Sequence, residues 1–385
     1  MAAFEFATAQ RIIVGAGTAR QAPHIVTSLG SRPLVVTGRN PARAEWFISA
    51  LRQSGRPFHV VHVHREADVA FAAEGAALAQ QHAVDVVVAI GGGAALDAGK
   101  AIAALATNGG DPLQYLEVVG QGRPLEAPPL PCVAIPTTAG TGSEVTRNAV
   151  LLVPSARMKV SLRSPLMLPR AAIVDPELTY GLPPAVTAST GLDALTQLIE
   201  PFISARANPM TDAFCREGIP RGARSLRRAC AHPNDADARQ ALAIASLFGG
   251  LALANAGLGA VHGCAAPIGG MFSAPHGAVC AALLPHVMRG NLRALRARAA
   301  GGPALVRVDE LGRLLTGHAG ACADDALAWL DAIVADLTIP PLSAYGLTAR
   351  DVPAICQRAM QSSSMKGNPV ALSADELAEM VSAAL

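Results

Sequence analysis

In the first half of the chain, short apolar runs alternate with stretches whose apolar residues recur at helical spacing. Runs at 11–14, 34–37, 58–63, 84–90 and 132–136 are rich in Val and Ile and bounded by turn formers, and they predict strands. Between them, 41–53 and 69–82 read as amphipathic helices, with Pro41 suited to a first helical position. Alternation with short connections predicts a mostly parallel sheet with helices on both faces, whose ligands gather at the carboxyl ends of the strands. A strand-like pair at 150–153 and 159–162 and a strand at 172–174 complete this half. From Pro183 onward helical periodicity takes over, strand signals cease, and Asn208-Pro209, His232-Pro233 and Pro340-Pro341 mark turns. The expected architecture is an α/β domain over 1–182 and an all-α domain over 183–385.

One tract changes the picture. Between Gln240 and Met288 there is no Asp, Glu, Lys or Arg, enough for a hydropathy scan to flag 241–261 as a membrane span. The tract is broken at Gly249-Gly250, Gly257 and Gly259, holds Asn255 and three histidines, and lacks flanking Trp or Tyr anchors. Buried interior helices are expected instead. Length and composition agree: 385 residues suit two domains, and 51% hydrophobic with 16% charged residues is globular.

A net charge of +2 gives no electrostatic footprint for nucleic acid or an anionic membrane. The arginines at 216–228 and 289–298 read as solvated helix faces. Seven scattered cysteines, odd in number and never in a C-x-x-C pair, point to free thiols and a reducing cytoplasm. The segment MAAFEFATAQ shows no secretory pattern.

The candidate chemistry lies in three places. Gly91, Gly92 and Gly93 follow the strand at 84–90 and open an Ala-rich helix carrying Asp97 and Lys100. Glycines there let backbone N–H groups approach a phosphate at the positive end of the helix. The same pattern also serves a tight turn that binds nothing. A second loop, Pro136-Thr137-Thr138-Ala139-Gly140-Thr141-Gly142-Ser143-Glu144, follows the strand at 132–136, and two such loops on one sheet favour a nucleotide site. In the second half, Asp193 and Gln197 are four apart and share a helix face. With His262 and His276 they offer a carboxylate, an amide and two imidazoles to a divalent metal, unless each is satisfied internally.

The succession GGGAALDAGK, PTTAGTGSEVT, Lys159, IVDPEL, GLDAL and GxVHG…GGMFSAPHGAVCAALLP resembles the iron-containing (group III) alcohol dehydrogenase family over essentially the whole chain. The resemblance implies a Rossmann-like N-terminal domain and an all-helical C-terminal domain, the plan shared with dehydroquinate synthase, with a cleft for NAD(P) and metal. It implies an alcohol–carbonyl oxidoreductase acting on a small molecule, and a homo-oligomer. The expected cofactor-binding set is Gly38, Gly92, Gly93, Asp97, Thr137, Thr138, Thr146 and Lys159, with Asp97 and Lys100 read as loop and helix supports rather than acid–base groups. Asp193, Gln197, His262 and His276 fall on the four metal positions, for Fe²⁺ or Zn²⁺. Asp193, His262 and His276 are the expected catalytic residues.

Three departures matter. Gln197 stands where the family usually has histidine, which weakens affinity for Fe²⁺ or Zn²⁺ and admits metal independence. Ala266 stands where many members carry a proton-relay histidine; His286 reads as a packed helix residue. Gly38 stands where NAD-specific members commonly hold an aspartate, so with Arg39 and Arg43 near, acceptance of NADPH is expected. The alternatives are a metal-independent maleylacetate reductase-like enzyme, a dehydroquinate synthase-like lyase, and a non-catalytic cofactor-binding relative.

Overall fold

The computed structural model describes residues 3–385. The strands are β1 (Ile12–Val14), β2 (Pro33–Thr37), β3 (His59–His62), β4 (Val86–Gly91), β5 (Cys132–Pro136), β6 (Asn148–Val153), β7 (Met158–Arg163) and β8 (Ala171–Val174). The helices of the first half are α1 (Ala22–Leu29), α2 (Glu45–Gln53), α3 (Val69–Gln81) and α4 (Gly93–Asn108). Then follow α5 (Pro184–Ile203), α6 (Pro209–Ala231), α7 (Ala236–Ala256), α8 (Ala260–Met271) and α9 (His276–Arg298). The chain ends with α10 (Pro303–Thr316), α11 (Ala323–Asp336), α12 (Val352–Ala359) and α13 (Ala374–Ala383). Two compact units result: Ala7–Thr138 with Gly142–Tyr180, and Gly181–Leu385 with Ala139–Thr141 and residues 3–6.

In the α/β unit, six strands form a wholly parallel sheet in the order β1-β8-β5-β4-β2-β3. Strands β2, β4 and β5 are buried along their whole length, as continuous apolar runs covered on both faces must be. Their side chains alternate between two cores. Leu34, Val36 and Val87 pack with Ala72 and Ala76 of α3 and Ala98 and Ile102 of α4. Val35, Val86, Val88 and Ile90 pack with Ile25 and Val26 of α1 and Phe47 and Leu51 of α2. Helix α4 sits tightly on the sheet, since a Cβ on Gly99 would come within 2.6 Å of Ala89 Cβ.

The strand-like pair at 150–153 and 159–162 forms as β6 and β7, an antiparallel ribbon separate from the main sheet. One local expectation needs correction: the stretch 41–53 is not one helix. Asn40 accepts a hydrogen bond from the Ala42 N–H, which tightens Pro41–Ala44 into a 3₁₀ turn before α2 begins at Glu45.

In the helical unit, the charge-free tract becomes α7, α8 and most of α9. Ala252, Val261, Cys264, Ile268 and Val279 pack into one core with Phe202 and Leu283. Among the described residues no single helix is long and apolar enough to cross a membrane, and the α7–α8 pair is bent by 99°. The arginines of α6 and α9 face solvent against acids of other helices: Arg216 with Glu310, Arg289 with Asp331, Arg293 with Glu379 and Arg296 with Asp324. Such exposed pairs add little stability each, and they cancel the local positive charge. All seven cysteines are free thiols, and only Cys322 is exposed.

Candidate active site

In the α/β unit three loops converge at the carboxyl ends of adjacent strands. Gly91 ends β4 and pairs with Pro136 of β5, and the Thr137 N–H donates to the Gly91 carbonyl at 2.9 Å. A Cβ on Gly91 would lie 3.2 Å from the Gly38 nitrogen and 2.7 Å from Ala95 Cβ, so only glycine lets these loops approach so closely. A Cβ on Gly92 would meet Thr138 Oγ1 at 3.4 Å. Gly92 is the N-cap of α4 and supplies no side chain to cap it, which leaves the first N–H groups and the dipole of a sixteen-residue helix free for an anion. Gly38, Gly92, Gly93, Thr137 and Thr138 therefore share one sheet edge.

The other expected cofactor residues have partners inside the protein. Asp97 accepts from the Ser143 hydroxyl and from the Val150 N–H, and pairs with Lys100 Nζ at 3.1 Å. Lys100 is buried and donates to the Ser143 carbonyl, to Thr146 Oγ1 and to the Asn148 carbonyl. These two residues tie α4 to the threonine-rich loop, the supporting role expected of them. Lys159 pairs with Glu66 at 2.9 Å. The Arg43 guanidinium donates to the Leu178 and Tyr180 carbonyls. Of the two arginines near Gly38, exposed Arg39 is the one without such an anchor.

Glu144 in this loop is buried, and burial pushes its carboxyl up to about 7 from 4.5, with its own N–H and Lys100 offsetting only part of the cost. The folded protein thus keeps this proton between pH 4.5 and 7 while the unfolded chain gives it up. Stability must fall as pH rises through that window, by about 3 kcal/mol from this residue. Glu144→Gln, which stays neutral, should flatten that decline and be the more stable protein at pH 8. Urea unfolding at pH 5 and pH 8 checks this, and equal slopes for both proteins would refute it.

In the helical unit, α5, α8 and α9 bring together what the sequence scatters. Asp193 and Gln197 lie on one face of α5, His262 on the first turn of α8, and His276 opens α9. Gly277 makes the approach possible: a Cβ there would lie 2.6 Å from the Ser189 carbonyl on α5. His262 Nε2 is 3.4 Å and His276 Nε2 3.8 Å from Asp193 Oδ1.

Two residues that the sequence argument left out complete the cluster. Glu200 lies one turn beyond Gln197 on the same face of α5, and is buried. Its Oε1 accepts from the Val261 N–H at 2.7 Å, and its Oε2 sits 2.6 Å from His262 Nδ1. A carboxylate can only accept, so Nδ1 carries a proton and Nε2 is the atom directed at Asp193, where its lone pair would be offered to a cation. Cys280, one turn after His276, places Sγ 3.7 Å from His276 Nε2. The i, i+4, i+7 spacing of Asp193, Gln197 and Glu200 was the available signal for the first.

Among the described residues, four buried side-chain polar atoms lack a hydrogen-bond partner, and three of them are Asp193 Oδ1, Gln197 Oε1 and His262 Nε2. An orphaned buried polar atom costs of the order of 1–3 kcal/mol, more if charged. Three electron-pair donors orphaned together are the fit expected of a divalent cation. The electrostatics agree. Burial alone would favour neutral His262, yet the Cys280 sulfur, Asp193 and Glu200 outweigh it and hold the imidazole well above its ordinary pKa. Burial likewise works against the Asp193 carboxylate, but His276 and His262 keep its pKa below the usual value. The carboxylates thus draw positive charge into the cluster, which protonated imidazoles supply and a divalent cation would supply in their place.

The comparisons agree with this geometry. Residues 9–176 match the family described as iron-containing alcohol dehydrogenase, and residues 187–385 its C-terminal family. The chain belongs to the iron-containing alcohol dehydrogenase family. A 1,3-propanediol dehydrogenase of Klebsiella pneumoniae is 39% identical over 298 residues, covering 77% of this chain and 75% of that protein. Alcohol dehydrogenase 4 of Schizosaccharomyces pombe is 36% identical over 316 residues, covering 81% and 71%. A crystal structure of 1,3-propanediol oxidoreductase superposes with a TM-score of 0.90 at 32% identity, covering both chains fully. Sulfoacetaldehyde reductase from Bifidobacterium kashiwanohense, solved with NAD⁺, gives 0.85 at 28% identity, covering 99% of this chain and 98% of that one. As a member of the iron-containing alcohol dehydrogenases, the protein is an oxidoreductase that interconverts an alcohol and its carbonyl compound. Membership implies a nicotinamide dinucleotide and a metal.

Proposed function

We propose that the protein moves hydride between a nicotinamide dinucleotide and a small, weakly charged alcohol or carbonyl substrate, with a divalent cation held by Asp193, His262 and His276 and, more weakly, by the Gln197 amide oxygen. The observation that carries this reading is the set of orphaned donor atoms around Asp193. Such a cation supplies Lewis acidity toward the substrate oxygen, and the cofactor supplies the hydride chemistry. The protein's own part is positioning. The Gly92–Gly93 helix start receives the pyrophosphate, and the Gly91–Thr137 bond holds the neighbouring loop beside it. Thr137 and Thr138 line that loop end, while Asp97 and Thr146 fix the loop through Lys100 and Ser143. Glu200 holds His262 in the tautomer that presents Nε2. Free thiols suit a reducing cytoplasm, and a homo-oligomer is expected from the family.

Dialysis against a strong chelator, followed by assay with an alcohol and carbonyl panel and both nicotinamides, tests the reading. Activity should be lost and restored by adding back Fe²⁺ or Zn²⁺. Undiminished activity in metal-free protein would instead favour the metal-independent, maleylacetate reductase-like alternative.

We also propose that NADPH is accepted, because Gly38 leaves no carboxylate to repel a 2′-phosphate and exposed Arg39 follows it. Gly38→Asp is sterically permitted, since the new Cβ would meet only Gly91 Cα, at 4.0 Å. Two like charges at close range cost on the order of 1–4 kcal/mol. The variant should therefore shift the ratio of kcat/KM for NADPH over NADH by about tenfold or more toward NADH. Wild-type protein that uses NADH alone would refute the proposal.

A further inference from the structure

The reading above leaves one further group in the cluster unexplained. Cys280 is buried on α9, and its Sγ joins Asp193, His262 and His276 in a set of donor atoms that all lie within 4.8 Å of one another. Resting on that reading of the cluster as a metal site, we propose that Cys280 is itself a metal ligand. The cation is then held by one oxygen, two nitrogens and one thiolate sulfur, and the site favours a thiophilic ion such as Zn²⁺.

The argument is first one of distances. Metal–nitrogen and metal–oxygen bonds of about 2.0–2.1 Å and a metal–sulfur bond of about 2.3 Å give tetrahedral edges of about 3.3 Å for N–O and about 3.6 Å for N–S. The edges here are 3.4 Å for His262 Nε2 to Asp193 Oδ1, 3.8 Å for His276 Nε2 to Asp193 Oδ1, and 3.7 Å for Cys280 Sγ to His276 Nε2. Small side-chain shifts close each onto a common ion. Secondly, the sulfur is not a lone thiol: it meets His276 Nε2 and shares its cluster with Asp193 Oδ1 and His262 Nε2, two buried atoms without hydrogen-bond partners.

The third point is chemical. Gln197 offers a neutral amide oxygen, which is a weak ligand; a thiolate brings negative charge and softness to the same cluster. On binding, the thiol loses its proton to solvent and a sulfur–metal bond forms, with no change of oxidation state. The sulfur thus takes over the ligand role that Gln197 fills poorly, and zinc can still accept a fifth ligand.

Cobalt reports on this directly. Chelator-stripped protein loaded with Co²⁺ should show visible ligand-field bands together with an intense sulfur-to-cobalt charge-transfer band in the near ultraviolet. Cys280→Ser should keep the visible bands, lose the near-ultraviolet band and bind Zn²⁺ at least about tenfold more weakly. Gln197→Ala should keep both sets. Visible bands in the wild type without the charge-transfer band would overturn the proposal whether or not any variant folds, as would a charge-transfer band that survives in Cys280→Ser. Failure of Co²⁺ to bind at all would overturn the metal-site reading beneath it.

Discussion

Asp193→Asn should lower kcat/KM by about a thousandfold or more while the protein stays folded. The substitution keeps the shape and one acceptor oxygen of the side chain but removes the charge toward which both imidazoles are drawn. Lewis-acid stabilisation by a bound cation is worth several kcal/mol, and each ~1.4 kcal/mol is a factor of ten in rate. In the metal-free state at neutral pH the variant should be less stable than the wild type, because His276 and His262 outweigh the desolvation of the Asp193 carboxylate and hold its pKa below the usual value, so the ionised form stabilises the fold. Steady-state kinetics, metal content and thermal unfolding of the same preparation check the three parts together. A variant that keeps its metal and loses less than tenfold in kcat/KM would contradict the assignment of Asp193.

The second large effect is expected at Glu200, which touches neither substrate nor metal. In Glu200→Gln one of the two accepting oxygens becomes an NH₂ group. It must face either the Val261 N–H or His262 Nδ1, which both meet oxygens in the wild type. Facing His262, the amide donates to Nδ1 and drives the imidazole proton onto Nε2, the atom needed as a ligand. Facing Val261, it opposes donor to donor at the start of α8. Metal affinity should fall by about 10–100-fold, the usual effect of losing an outer partner of a ligating histidine. Zinc titration of the stripped protein measures this. Restoration of full activity at saturating zinc would mark Glu200 as a positioning residue, whereas unchanged zinc affinity would refute the role.

Much of the molecule could be read before its structure was known, for identifiable reasons. The continuous apolar runs of β2, β4 and β5 are unambiguous because strands covered on both faces have no polar alternation to blur them. The Gly91–Gly93 turn was visible because close approach of three loops leaves room for nothing larger at Gly91. The histidines stood out because polar groups are rare in a charge-free tract. Glu200 and Cys280 were harder. Glu200 is marked locally only by its i+7 spacing from Asp193 on α5, and its partner His262 is far along the chain. Cys280 reads as one of several buried small thiols, and only the packing of α9 on α5, permitted by Gly277, reveals what it faces. The 3₁₀ turn at Pro41–Ala44 escaped because one side-chain hydrogen bond from Asn40 decides it, below the resolution of periodicity.

Anomalous X-ray scattering on crystals of freshly purified protein, measured on either side of the iron and zinc absorption edges, tests the central claim most directly. A single strong peak should appear within bonding distance of Asp193 Oδ1, His262 Nε2 and His276 Nε2. A peak bound elsewhere, or active crystals with no peak among those atoms, would contradict the account.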